Sequence, residues 1–237
     1  CLTYWNCIDA GRESKGVYSV MSELRVKICG VTNKDDAHLV VDSGADMLGM
    51  IVDVPVETPR KISIDEAEEI SKEIGDDINI VVVLCPSSVE EVENVVRRIE
   101  PFGVQMHGFE SEAFLKSVRE ALPDLKLIKT VHVAEDGAIH GVMPEADYVD
   151  FILLDTFSAK IGGTGKKHSW AKSKKLVEQS AIPVILSGGL RPENVEEAIK
   201  TVQPYGVDVA SGVESSGGRK SKEKVLNFVR TARCTSI

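Results

Sequence analysis

The chain has no apolar run approaching the roughly 18 to 20 residues of a membrane helix, and only 5% of its 237 residues are aromatic. A membrane-spanning helix is therefore not expected, and the reading is a soluble protein. Positive charge is scarce as well, with 28 Lys and Arg against 37 Asp and Glu and a formal net charge of -9. Nucleic acids and anionic membranes usually require a basic field. Neither is an expected partner, and any anionic ligand must be held by local groups. The five cysteines (Cys1, Cys7, Cys29, Cys85, Cys234) are scattered and contain no C-x-x-C pair. That spacing offers no metal site and no redox pair, and it fits a reduced, cytoplasmic compartment. Residues 1–24 lack the basic start, apolar stretch and cleavage site of a secretory signal. They read as a poorly structured extension, with Met21 placed like a natural start.

What is present from Arg25 onward is alternation. Short β-branched runs are followed by amphipathic stretches, the pattern of repeated strand-then-helix units. Eight strands are expected, near residues 25–29, 46–52, 78–84, 103–107, 125–130, 149–154, 182–187 and 206–210. The helix after the seventh is the plainest: Pro192 sits at its expected start, and Val195, Ala198, Ile199 and Val202 recur at helical spacing. The fifth unit is the weakest, because HVAEDGAIHGVMPEADY carries two glycines and a proline where a helix should lie. A short or broken helix is expected there. No Pro/Gly/Ser-rich linker divides the chain, so residues 25–232 read as one α/β domain. A single (β/α)8 TIM barrel is the expected fold, with an open doubly wound sheet as the alternative.

Both architectures place ligands beyond the carboxyl ends of the strands. The residues ending strands here include Cys29, His107, Asp155, Ser187 and Ser211. After strand seven, Ser187-Gly188-Gly189-Leu190 turns on two glycines towards a helix, and after strand eight Ser211-Gly212-Val213-Glu214 does so on small residues. Adjacent turns of this kind let backbone N–H groups approach a phosphate, which makes Gly188, Gly189, Ser211 and Gly212 the candidate cradle. Gly162-Gly163-Thr164-Gly165-Lys166 is not a Walker A loop, since Lys160 and Lys167 stand where glycine and Ser or Thr are needed. It reads as a glycine-rich lid leading into a helix capped by Ser169. Alternation places Lys27 on the face of Cys29 and Asp208 on the face of Ala210. As strands one and eight would be neighbours, a Lys27–Asp208 ion pair within about 4 Å is expected inside the barrel. On position alone Cys29 is either a small buried hydrophobe or a reactive group, and Asp155 either a loop-capping carboxylate or an acid.

Six motifs in order, KICG at 27–30, QMHG at 105–108, LLDT at 153–156, GGTGK at 162–166 with Trp170, SGGL at 187–190 with PENV at 192–195, and GVDV at 206–209 with SGVE at 211–214, resemble the phosphoribosylanthranilate isomerase family. The likeness spans about residues 25–230. It implies a (β/α)8 barrel performing an Amadori rearrangement of N-(5′-phosphoribosyl)anthranilate, in tryptophan biosynthesis, without cofactor or metal. It further implies Cys29 as general base, Asp155 as general acid and Arg60 as the partner of the anthranilate end. Gln105, His107, Gly163 and Asp208 complete the candidate substrate contacts. Gly30 and the helix start at Thr32-Asn33 are expected to help hold a thiolate at Cys29. VDVPVET before Arg60, LCPS at 84–87 and Ser221 depart from the family pattern. The partner is a small phosphoribosyl molecule, and the protein a monomer or homodimer. Rival readings are a histidine-pathway aminoaldose isomerase, which pairs two aspartates, and an inactive barrel that only binds a sugar phosphate.

Overall fold

The computed structural model describes residues 24–134, 136–156 and 169–235. Eight parallel strands close on themselves: β1 (Arg25–Ile28), β2 (Met47–Val52), β4 (Asn79–Leu84), β5 (Gly103–Met106), β6 (Lys126–Val133), β8 (Phe151–Thr156), β9 (Val184–Leu186) and β10 (Gly206–Val209). β10 pairs back onto β1 with Lys27 opposite Asp208, and β1 pairs with β2, so the ring has no free edge. The open-sheet alternative is thereby removed. All eight expected strands are present, with ends shifted by at most a few residues. Among the described residues no helix is long and apolar enough to cross a membrane.

Helices α1 (Lys34–Asp42), α2 (Ile64–Ile74), α3 (Val89–Ile99), α4 (Glu112–Ala121), α5 (Trp170–Gln179), α6 (Val195–Val202) and α7 (Lys222–Cys234) form the outer layer. Their starts follow capping chemistry. Ser63 and Glu66 make a reciprocal capping box at α2, and Asn33, Ser88, Ser111 and Ser221 each accept a hydrogen bond from a backbone N–H of the first turn. The departure at Ser221 is thus absorbed, because serine caps as well as aspartate would.

Period-two alternation divides the apolar residues into two cores. Val26, Leu48, Met50, Val82, Val104, Leu154 and Val207 face outward and pack under the helices. Met47, Val81, Ile128, Leu153 and Ile185 fill the barrel interior, with Phe151 and Tyr205 against them. Nearer the carboxyl ends the inward face turns polar, with Lys27, Gln105, Asp208, Ser187 and Asp155.

Three expectations need correction. Among the described residues the fifth unit contains no helix: β6 runs on into an antiparallel hairpin with β7 (Ile139–His140), after which a turn leads into β8. Gly137 and Gly141 take positive φ there, which helical geometry does not allow. α6 begins at Val195, three residues after Pro192, because Asn194 uses its side chain to accept from Arg191 N and to donate to Gly189 O. Ser169 occupies the N-cap position of α5 but makes no side-chain capping bond. Two shorter elements complete the chain: β3 (Lys61–Ile62) beside β2, and the hairpin of β11 (Glu214–Ser216) with β12 (Arg219–Lys220) after a single 3-10 turn at Ser211–Val213.

Candidate active site

A pocket opens at the carboxyl ends of the strands, enclosing about 930 Å³ including its solvent-filled mouth. Cys29, Arg60, Gln105, His107, Asp155, Ser187, Gly188, Gly189, Asp208 and Ser211 all line it. Cys29 follows β1 and Asp155 lies near the end of β8, three strands away round the ring. Gly163 and the expected lid lie outside the described residues.

Burial pushes the Cys29 thiol above its ordinary value, against the pull of Lys27. The counteracting cations are Lys27 and Lys220, the latter donating from Nζ to Cys29 O at 2.6 Å. Gly49 makes the arrangement possible, since a Cβ there would lie 2.7 Å from Cys29 Sγ. Burial, with Asp208 nearby, also raises the Asp155 carboxyl from its usual 3.8 to about 7. One of its oxygens accepts from Thr156 N at 2.8 Å. At neutral pH a substantial fraction of Asp155 therefore carries a proton.

The expected ion pair is present, with Lys27 Nζ 2.8 Å from Asp208 Oδ1. Ser187 Oγ donates to the other Asp208 oxygen at 2.8 Å, so both carboxylate oxygens are engaged. His107 Nδ1 and Gln105 Nε2 both meet Thr130 Oγ1, at 3.2 Å each, while Gln105 Oε1 is buried without a partner among the described residues. An acceptor left in that state normally awaits water or a ligand. Burial first, and the cations Lys129 and Lys27 with His132, drive His107 down to about 3. Its 4.0 Å approach to Asp155 is therefore not an ion pair at neutral pH.

Arg60 packs over Gly30, where a Cβ would lie 2.8 Å from Arg60 Cδ. Its Nε and Nη2 donate to the two Glu214 oxygens at 2.7 and 2.9 Å, leaving Nη1 as a further donor. Burial would raise the Glu214 carboxyl, but Arg60 and Lys220 outweigh it and hold it below its ordinary value. Sequence reasoning assigned no role to Glu214 or Lys220, although Glu214 stands in the quoted SGVE motif. Their signal was charge: two ionised groups flanking a phosphate-type turn require partners.

The glycine turns are tightly fitted. Gly188 and Gly189 have φ of 84° and 68°, and a Cβ on Gly188 would lie 2.2 Å from Thr156 Oγ1. On Gly212 it would lie 1.9 Å from Leu190 O, so the two turns are in direct backbone contact. The late start of α6 moves its dipole away from Gly188 and Gly189, because that field decays within a turn. Backbone N–H groups of the turns are left as the donors for an anion.

This arrangement agrees with comparison to known proteins. The family model for N-(5′-phosphoribosyl)anthranilate isomerase matches residues 26–231. The chain belongs to the phosphoribosylanthranilate isomerase family. It is 44% identical over 211 residues to the isomerase of Methanocella arvoryzae, covering 89% of this chain and 99% of that one. The solved isomerase of Thermotoga maritima superposes with a TM-score of 0.75 at 34% identity, covering 88% of this chain and 98% of that chain. Another solved isomerase, in complex with reduced 1-(o-carboxyphenylamino)-1-deoxyribulose 5-phosphate, matches with a TM-score of 0.71 at 33% identity over 88% and 98% of the two chains. Membership sets aside the histidine-pathway alternative, and the strand-one residue agrees: Cys29 stands where that rival would require an aspartate.

Proposed function

We propose that this chain converts N-(5′-phosphoribosyl)anthranilate into 1-(2-carboxyphenylamino)-1-deoxyribulose 5-phosphate in tryptophan biosynthesis, with Cys29 as base and Asp155 as acid. The observation that carries the assignment is that the two groups line one pocket from strands three steps apart, above a pair of glycine turns. Asp155 gives its proton to the ribose ring oxygen, and the C1′–O bond breaks to leave a Schiff base. Cys29, as thiolate, takes the C2′ proton, and the enolamine so formed tautomerises to the ketone. The 2′-hydroxyl loses a proton and C1′ gains one, so the reaction is a net isomerisation. It requires no external oxidant, and the reading includes no metal or cofactor. Gly188, Gly189, Ser211 and Gly212 hold the phosphate through backbone donors. Arg60, oriented by Glu214, offers Nη1 to the anthranilate carboxylate. Gln105, His107 and Asp208 face the sugar from the pocket wall, and Gly163 is a further substrate contact. Residues 25–232 act as one catalytic domain, as a monomer or homodimer.

The test generates the labile substrate from anthranilate and phosphoribosyl pyrophosphate with the preceding transferase and follows the fluorescence lost on conversion. Wild-type protein turns it over, and Cys29→Ser or Asp155→Asn each lower kcat by about 10² to 10⁴. Wild-type conversion no faster than the uncatalysed rate would refute the reading.

A further inference from the structure

Between the base and the acid lies a buried ion pair that takes no part in the proton transfers themselves. Strand order places it: β1 carries Lys27 and leads to Cys29, β10 carries Asp208, β9 leads to Ser187, and β8 carries Asp155, in that sequence round the ring. Ser187 holds Oδ2 of Asp208 at 2.8 Å while Lys27 holds Oδ1 at 2.8 Å, so the carboxylate is pinned between β1 and β9. A Cβ on Gly49 would lie 2.7 Å from Cys29 Sγ and 3.0 Å from Lys27 Nζ, so the sulfur and the ammonium border a single gap. The side chains of Lys27 and Asp208 are 0% and 6% exposed, so water screens their field weakly.

We infer that the Lys27–Asp208 pair is an oriented dipole, ammonium end towards Cys29 and carboxylate end towards Asp155, that drives a proton from the thiol towards the carboxyl. The inference rests on the reading of these two groups as base and acid. Productive chemistry needs a thiolate together with a carboxylic acid; the opposite arrangement, thiol with carboxylate, has the same net charge. Burial opposes ionisation of either group, so it does not by itself favour the productive arrangement, whereas a directed field increases its share. The balance of influences follows the geometry: Lys27 acts on Cys29 more strongly than Asp208 does, and Asp208 acts on Asp155 more strongly than Lys27 does.

The other charged neighbours do not reverse this direction. Around Cys29 these are Lys220, on its carbonyl oxygen, and Arg60, paired with Glu214. Around Asp155 there is His107, kept neutral, with His132 edge-on behind it at 5.2 Å between ring centroids. Burial also lowers His132, and Lys129 beyond it is neutralised by Glu110 at 2.7 Å.

Lys27→Met combined with Asp208→Asn removes the dipole without leaving an unpaired buried charge, and both residues are tested as positioning residues. The Asp155 carboxyl is followed by ¹³C NMR, as the signal missing from Asp155→Asn, and the Cys29 thiolate by ultraviolet absorbance, as the contribution missing from Cys29→Ser. In the double variant Asp155 titrates lower and Cys29 higher. The plateau of kcat/KM falls tenfold for each pH unit by which the two values move further apart. A folded double variant with both titrations unmoved overturns the dipole and leaves the base and acid assignment standing. Full activity of Cys29→Ser and Asp155→Asn overturns that assignment instead. If the double variant fails to fold, Asp208→Asn alone decides, since losing the negative neighbour must lower Asp155. An Asp155 carboxyl that titrates in the ordinary carboxylate range in the wild type also rejects the proposal.

Discussion

At the residue scale, the protonation order of the site has a kinetic consequence. Cys29 lies above its ordinary value while Asp155 is raised to about 7. The proposed base therefore holds its proton more tightly than the proposed acid does, and the thiolate–acid state is a minor population at every pH. Its share is greatest between the two values. The expected kcat/KM profile rises through an acid limb near pH 7, belonging to Asp155, and peaks on the alkaline side of neutrality. A pH series of kcat/KM, beside a direct NMR titration of Asp155, checks both the limb and its owner. A limb near pH 4 would show that the carboxyl is not perturbed in the free enzyme.

At the element scale, the proposed phosphate site is made by two turns. The turns after β9 and β10 touch through Gly212, whose added Cβ would lie 1.9 Å from Leu190 O. No real contact is that close, so Gly212→Ala must force the turns apart. The expected results are a KM for the phosphorylated substrate at least about tenfold higher and a stability loss of about 1–3 kcal/mol, the usual cost of overpacking. Thermal-shift titration with inorganic phosphate is the check, and phosphate protection equal to wild type would separate this turn from the phosphate site.

The same scale shows what the sequence made legible. All eight barrel strands were readable, because buried parallel strands are near-continuous β-branched runs such as Asn79–Leu84. Cys29, His107 and Asp155 were readable as pocket-lining residues because this architecture opens its pocket at the strand ends. The hairpin after β6 was not, since two residues per strand give no periodicity to detect. Nor was the Arg60–Glu214–Lys220 network, in which a local hairpin pair, Glu214 and Lys220, meets Arg60 from 154 positions away.

At the scale of the whole molecule, the proposed acid, Asp155, should weaken the fold. Folding raises the Asp155 carboxyl from 3.8 to about 7, so the native state binds this proton more tightly than the unfolded chain does. The stability linked to that proton is complete below pH 3.8, declines as pH rises towards 7, and is gone above it. With about 1.4 kcal/mol per pH unit, the interval sets an upper bound of about 4 kcal/mol, and the side chain's 19% exposure brings the real figure below it. His107 works in the opposite sense. Folding lowers it from 6.5 to about 3, so its contribution is complete above pH 6.5 and is lost as pH falls towards 3. Asp155→Asn removes only the first dependence. The variant should therefore melt several degrees above wild type at pH 8, at about 2–4 °C per kcal/mol for a domain of this size, and the gap should close at pH 3.5. Calorimetry at the two pH values measures it, and an advantage equal at both would mean that the gain comes from packing or hydrogen bonding and that burial of an ionised Asp155 is not a cost the native fold carries.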